Sequence, residues 1–321
     1  MECMERACFC LTLDTELYWG VFDKISYEEF KKICPDTRKV FSLLLDLFEK
    51  RQIKVTWAFV GHLFLKEYYG ENGKKHPHLI RPPTKTGEDR LSVLPFGSVE
   101  SEPYWYGADL VELIRSRAPE HEIALHTFTH TIWTKGISEE VVRSELEHSL
   151  RYARELGLEL KSFVFPRNQE GFHHLLREYG FTAYRGSEDW LDSRLILGKP
   201  YRIAKHWLKL PPRVSQPEEK LAGLWNIRAS MFLPPIESVY KALSLRARVI
   251  RAKKGIERAV EKKAVFHLWF HPHNACQQTE AFLFVLDNIL RLVEKEIQAG
   301  RIENLTMAEL AEKMSKEKKA L

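Results

Sequence analysis

Residues 7–16 read ACFCLTLDTE: an apolar run over 7–14 that ends in a carboxylate, with a second carboxylate two residues further on. A short apolar run of this kind is a buried strand, and the pattern that follows it decides the sheet to which it belongs. Val40, Phe41, Leu44, Leu45, Leu47 and Phe48 fall at helical spacing over 37–50, and IKVTWAFVG (53–61) reads as a second buried strand. Helix signals return at 107–117, followed by the strand EIALH (122–126) and a helix with Ser138 as N-cap that stops at Gly157. The strands KSFVF (161–165) and TAYR (182–185) flank a helix over 172–179. LWNIR (224–228), a basic helix near 237–262, the strand AVFHLWF (264–270) and a helix from about 279 to 299 come next. Thr306 and Glu309 form a capping box that opens the last helix. Strands alternating with helices predict a parallel sheet, and about seven of them favour a closed barrel over two domains.

The chain of 321 residues is 44% hydrophobic and 29% charged, enough apolar content to bury a full core, which excludes general disorder. No repeat and no linker divides it, so one domain over 1–321 is expected, with its core at about 8–275 and C-terminal helices at about 277–321. No stretch approaches the roughly 18 apolar residues of a membrane span. The opening residues carry acids beside the one basic residue and no small-residue cleavage site, so the expected location is the cytoplasm. The net charge of +5 is small for the length and does not argue for nucleic acid. Five scattered cysteines make no disulfide framework, and Cys8 and Cys10, on one face of the first strand, read as reduced core residues.

In parallel α/β folds the chemistry sits at the carboxyl ends of the strands. Applied here, that rule brings Asp14 and Glu16, then His126 and His130 of HTFTH, then Arg167, then His271 and His273 to one rim. Two histidines and a carboxylate suit a divalent metal with a position open to water. A second carboxylate suits a base, a further histidine an acid, and an arginine beside the base would keep it ionised. These parts suit hydrolysis of an unactivated amide. Each has a plainer reading: Asp14 and Glu16 as caps, His271–His273 as a turn, Arg167 as a surface cation. Their common placement at strand ends favours function.

The same residues resemble the polysaccharide deacetylase family, the NodB-homology carbohydrate esterases. TLDTE (12–16) is similar to the first family motif, T-F-D-D-G or D-x-D/E, and TWAFVG (56–61) to its T-F-F-x-x-G strand. HTFTH (126–130) matches the metal motif H-S/T-x-x-H, while FVFPRNQ (163–169) and HLWFHPH (267–273) resemble the third and fifth motifs. The resemblance implies a distorted (β/α)7 barrel, TIM-like, here with a C-terminal helical extension. It implies a hydrolase acting on carbon–nitrogen bonds other than peptide bonds, which removes acetyl groups from N-acetylated sugars. His126, His130 and Glu16 would hold a divalent metal, zinc being the first expectation. Asp14 would be the base, His271 the acid, and Arg167 would orient Asp14. Two departures stand out: Thr15 occupies the usual metal-binding Asp position, and Pro166 precedes Arg167. SEDW (187–190) matches the fourth motif only in part, leaving Asp189 and Trp190 as supports for His271.

For substrate contact the aromatics Trp19, Tyr104, Trp105, Tyr106 and Trp133 fall in predicted loops, and EPYWYG (102–107) is the candidate wall or lid within the long loop 70–104. A cytoplasmic enzyme implies a biosynthetic precursor, such as a nucleotide- or lipid-linked N-acetyl sugar, as substrate. Residues 241–263 hold nine Lys or Arg against two Glu, so contact with anionic lipid is a further expectation beside that of a solvated helix face. Two other readings stay open: a catalytically impaired carbohydrate-binding protein, and a two-carboxylate glycosidase on a related barrel.

Overall fold

The computed structural model describes residues 4–82, 91–134, 136–188, 210–238, 241 and 243–320. Its central strand, β1 (Ala7–Thr15), is buried along its whole length. It pairs in parallel with β2 (Thr56–Phe59) on one side and β11 (Val265–Phe270) on the other, with Leu13 opposite both Trp57 and Phe270. From β2 the parallel sheet continues through β5 (Glu122–Leu125), β6 (Ser162–Val164), β7 (Ala183–Arg185) and β9 (Leu224–Asn226), with β8 (Glu218–Leu221) antiparallel at the edge. Beyond β11 lies β10 (Met231–Phe232).

One bent segment joins the two ends of this order. Ile227 N–H donates to the Tyr184 carbonyl beside β7, at 2.9 Å. Three residues on, Ser230 N–H donates to the His267 carbonyl of β11, at 2.8 Å, and Leu233 N–H donates to Trp269, at 2.9 Å. The segment from Leu224 to Leu233 therefore lies against both neighbours, and the sheet curls into a ring of seven positions. The predicted α/β barrel architecture is present, distorted where that segment bends.

Strand alternation assigns the two faces of β1. Phe9, Leu11 and Leu13 belong to the core shared with the outer helices. Cys8 and Cys10 point into the ring, where they meet Ala58, Ala124, Val164 and Ala183, small side chains suited to a narrow interior. Cys8 and Cys10 are buried free thiols, as their face predicts.

The outer layer follows the helical spacing read from the sequence. Helix α1 (Tyr27–Ile33) begins at the Ser26 cap, and α2 (Thr37–Arg51) at Asp36, which accepts from Lys39 N–H at 2.9 Å. Helix α2 buries Val40, Phe41, Leu44, Leu45 and Phe48, each worth about 1.5–3 kcal/mol of apolar burial. Helices α3 (Ala108–Arg115), α4 (Glu139–Glu155), α5 (His173–Glu178), α6 (Leu245–Lys262) and α7 (Thr279–Gln298) follow their strands. In α6, Arg248 and Arg251 are buried and Arg248 donates to the Pro234 carbonyl, so two of the nine cations of 241–263 do not face solvent. Cys34, at the end of α1, forms a disulfide with Cys276, a pairing 242 residues long that no local spacing could announce. Among the described residues no helix is long and apolar enough to cross a membrane.

The C-terminal segment is part of the barrel. Strand β12 (Ile302–Asn304) pairs with the start of β1. Helix α8 (Met307–Lys319) carries the predicted capping box and lays Met307, Leu310 and Ala311 against Met4, Cys8 and Cys10, closing the amino end of the ring. β3 (Glu67–Tyr68), just before the long loop, and β4 (Gly97–Ser98), within it, form a short antiparallel pair.

Candidate active site and metal centre

At the carboxyl end of β1 the inward face continues from Cys10 through Thr12 and Asp14 to Glu16. Because residue 15 faces the other way, the D-x-E spacing delivers two carboxylates to one side and leaves Thr15 out of the site. The Glu16 side chain folds back over Gly20, where an added Cβ would stand 1.7 Å from Glu16 Oε2. Only glycine admits that carboxylate, and the φ of +47° at Leu17 turns the chain to permit it.

Glu16 Oε1 lies 3.0 Å from His126 Nε2 and 3.0 Å from His130 Nε2, all three side chains being buried. His126 Nδ1–H donates to the Val164 carbonyl at 2.8 Å. A neutral His126 so oriented presents a lone pair at Nε2, and a lone pair facing a carboxylate oxygen at 3.0 Å calls for a positive charge between them. Donor types and convergence thus fit a divalent cation, and Glu16, His126 and His130 meet as one ligand cluster.

The loop that carries the histidines is held in an uncommon shape. Thr127 and His130 have φ of +55° and +59°, and such strain persists only where the surroundings enforce it. Glu145 of α4 supplies the constraint. Its buried carboxylate accepts from Phe128 N–H at 2.8 Å and Thr129 N–H at 3.0 Å, and from the hydroxyls of Thr129 and Thr131 at 2.6 and 3.0 Å.

Asp14 lies beside this cluster and is gripped by an arginine, but not by the predicted one. Arg185, the last residue of β7, donates from Nη1 to Asp14 Oδ1 at 2.6 Å and from Nη2 to Oδ2 at 2.7 Å, wholly buried. Arg167 instead pairs with Asp23 at the cavity mouth, because it sits in a tight turn with φ of +52° that aims it outward. The signal for Arg185 was in the sequence: it ends the predicted strand TAYR, and the strand-end rule reaches it. Burial pushes the Asp14 carboxyl up, yet the charge and hydrogen bonds of Arg185 outweigh that and bring it below the usual range. Burial also raises Glu16, and the positive charge beside it, that of His271 first, outweighs burial and brings it well below.

A further buried histidine supports the Asp14–Arg185 pair from beneath. Arg185 Nη1–H also donates to Thr12 Oγ1 at 2.8 Å, and His267 Nε2 lies 3.1 Å from that hydroxyl. His267 Nδ1–H donates to the Ile227 carbonyl, which leaves Nε2 to accept the Thr12 proton. Burial then holds His267 neutral, its pKa lowered to about 3.

His271 completes the site, its Nε2 3.5 Å from Glu16 Oε1 and 3.9 Å from Asp14 Oδ2. Burial lowers its pKa, but the Glu16 and Asp14 carboxylates raise it more, and it ends above the ordinary value. His273 stacks on His271 with ring centroids 4.9 Å apart. Asp189 and Trp190 lie outside the described residues.

The cavity over these groups is ≈ 150 Å³ and is bordered by Lys24, Arg167, Asn168 and Trp269. Of the aromatics expected to stack on substrate, Trp19, Tyr104, Trp105, Tyr106 and Trp133 are instead buried. Trp19 and Trp105 meet edge to face at 4.9 Å, and Trp19 Nε1–H donates to the Trp105 carbonyl. EPYWYG is core and not a lid: burying these rings is worth more than exposing them. Among the described residues the aromatic that borders the cavity is Trp269 of β11, with the Arg185 guanidinium 4.3 Å from its ring centre.

No family model and no curated protein matches this sequence. Among solved structures the chain is similar to a protein assigned as a polysaccharide deacetylase from Mycobacterium smegmatis. The TM-score is 0.63 at 14% identity, over 98% of this chain and 92% of that one. A second protein so assigned, from Pseudomonas aeruginosa, gives 0.58 at 12%, over 95% and 89%. A 4-alpha-glucanotransferase from Thermococcus litoralis gives 0.53 at 16%, over 97% of this chain but 41% of that one. The chain therefore has the fold of these polysaccharide deacetylase structures, a distorted TIM-like barrel.

Proposed function

We propose that the protein is a metal-dependent hydrolase that removes the acetyl group from an N-acetylated sugar, breaking a carbon–nitrogen bond that is not a peptide bond. The observation that carries this reading is a single one. The Glu16–His126–His130 cluster, the Arg185-clamped Asp14 and His271 share one cavity at the carboxyl rim. The assignment of two proteins of this fold as polysaccharide deacetylases supports the choice of substrate.

Asp14, kept ionised by Arg185, is the base that takes a proton from the attacking water, and His271 is the acid that gives one to the departing amine nitrogen. Since a carboxylate held this acidic is a weak base, the reaction needs what a divalent cation on Glu16, His126 and His130 supplies: Lewis acidity and a water pKa lowered towards neutrality. Zinc is the first expectation. The glycosidase reading is the weaker one, because Asp14 and Glu16 come from one strand and each already faces cationic or imidazole partners.

Acetate release from N-acetylated mono- and oligosaccharides, measured beside metal content, tests the proposal. About one metal per chain is expected, lost in His126→Ala with His130→Ala, and turnover that a chelator abolishes. Asp14→Asn should retain metal and lower kcat by about 10²-fold or more. A chain that holds metal and binds sugars without releasing acetate would make it a carbohydrate-binding protein. Turnover indifferent to chelation would favour the carboxylate pair.

A further inference from the structure

We infer that the sugar taken by this site carries a negatively charged group, a phosphate or a carboxylate, and that Lys24 selects it. The inference rests on the deacetylase reading above.

It comes from the charges around the cavity. Asp14 is neutralised by Arg185, Glu16 meets His126 and His130, and Asp23 pairs with Arg167. Lys24 borders the same cavity, and among the described residues its ammonium has no ion pair. A lysine in a cavity wall without a counter-charge makes that wall attractive to an anion, whereas a neutral glycan offers it only the weaker hydrogen bonds of hydroxyl and carbonyl oxygens. Arg167 and Asn168 border the same cavity. They have φ of +52° and +54°, a paired strained turn that sets both at the cavity border. Arg167 is held by Asp23, so among the described cations at the cavity border Lys24 is the one with no carboxylate partner. An ammonium is a compact point charge on a flexible stem, suited to phosphate and carboxylate alike.

Three probes decide the matter: a neutral N-acetylhexosamine, its phosphate monoester, and the corresponding N-acetylhexosaminuronate. For metal-loaded protein, kcat/KM comes from acetate release and Kd from calorimetry. Wild type should prefer at least one anionic probe over the neutral sugar by about tenfold, the size of one charge-assisted hydrogen bond. The phosphate and carboxylate arms tell the two sources apart. Lys24→Ala should bring the ratio near one, Lys24→Glu should reverse it, and Lys24→Arg should keep it. A wild-type ratio near one, or a preference that Lys24→Ala leaves intact, overturns the inference. If no probe is deacetylated, the deacetylase reading fails, and the Kd ratio still decides this point. A Lys24-dependent preference in binding would uphold the anion site, and equal Kd values would overturn it.

Discussion

Arg185 shows what one buried side chain decides. Both of its terminal nitrogens engage Asp14, one reaches on to Thr12, and its face lies over Trp269. A planar fork makes these contacts together, and an ammonium cannot. Arg185→Lys is therefore expected to keep the fold and the bound metal while lowering kcat/KM by about 10²-fold, as Asp14 loses its fixed orientation. Steady-state kinetics beside circular dichroism and metal analysis checks this. Arg167→Ala, at the cavity mouth, should cost less on a neutral sugar. Complete removal in Arg185→Ala leaves a buried carboxylate alone, a loss of about 3–5 kcal/mol in stability, visible in urea unfolding.

Elements act on the site through the loops they pin. Helix α4 holds the HTFTH loop through Glu145, which accepts two backbone and two hydroxyl protons. Glu145→Gln turns one acceptor into a donor facing donors, so the loop should relax from its strained φ values. Metal affinity should fall by about 10–100-fold with the ligands themselves intact, as read by competitive metal titration. Beneath the same loop lies a histidine pair. His62 and His76 have ring centroids 5.2 Å apart and pack against Phe128. Burial lowers His62 to about 3; burial, then His62, His148, Arg151 and Arg81, lower His76 to about 2. Unfolded, both take up a proton near 6.5. The sign follows: below that pH the unfolded chain binds more protons, so stability is complete above it and falls as pH drops towards the folded values. The expected loss is about 1.4 kcal/mol per histidine per pH unit. Urea unfolding between pH 6 and pH 4 should show it, with a shallower slope in His76→Phe.

At the scale of the whole molecule, the ring is chemically graded along its axis. Its amino end is closed by α8, whose Met307 and Leu310 cover the thiols of β1, and Trp225 Nε1–H ties it down through Ser315 Oγ. Its carboxyl end carries the charges. The tail is thus a stopper and not an appendage, and removing residues 306–321 uncovers the barrel interior. Against a total stability of about 5–15 kcal/mol, that loss should leave a chain that is insoluble or unfolds without a cooperative transition. Leu310→Ala, a smaller cavity, should cost about 2–5 kcal/mol and leave a folded protein whose midpoint can be measured.

Alternation along ACFCLTLDTE was legible without coordinates, and with it the buried strand, the inward thiols and the paired carboxylates. The βα rhythm, the caps and the HTFTH spacing were legible for the same reason: they are written within one element, where backbone period alone assigns the face. Only tertiary structure decided which arginine meets Asp14, since Arg185 stands 171 residues away and competes with Arg167, a cation of equal chemistry. It also decided that the EPYWYG rings are core, that Cys34 finds Cys276, and that α8 seals the barrel. Each of those outcomes depends on what packs against a residue from a distant part of the chain, and burial of a ring, a thiol or a charge is determined by that neighbour rather than by the residue itself.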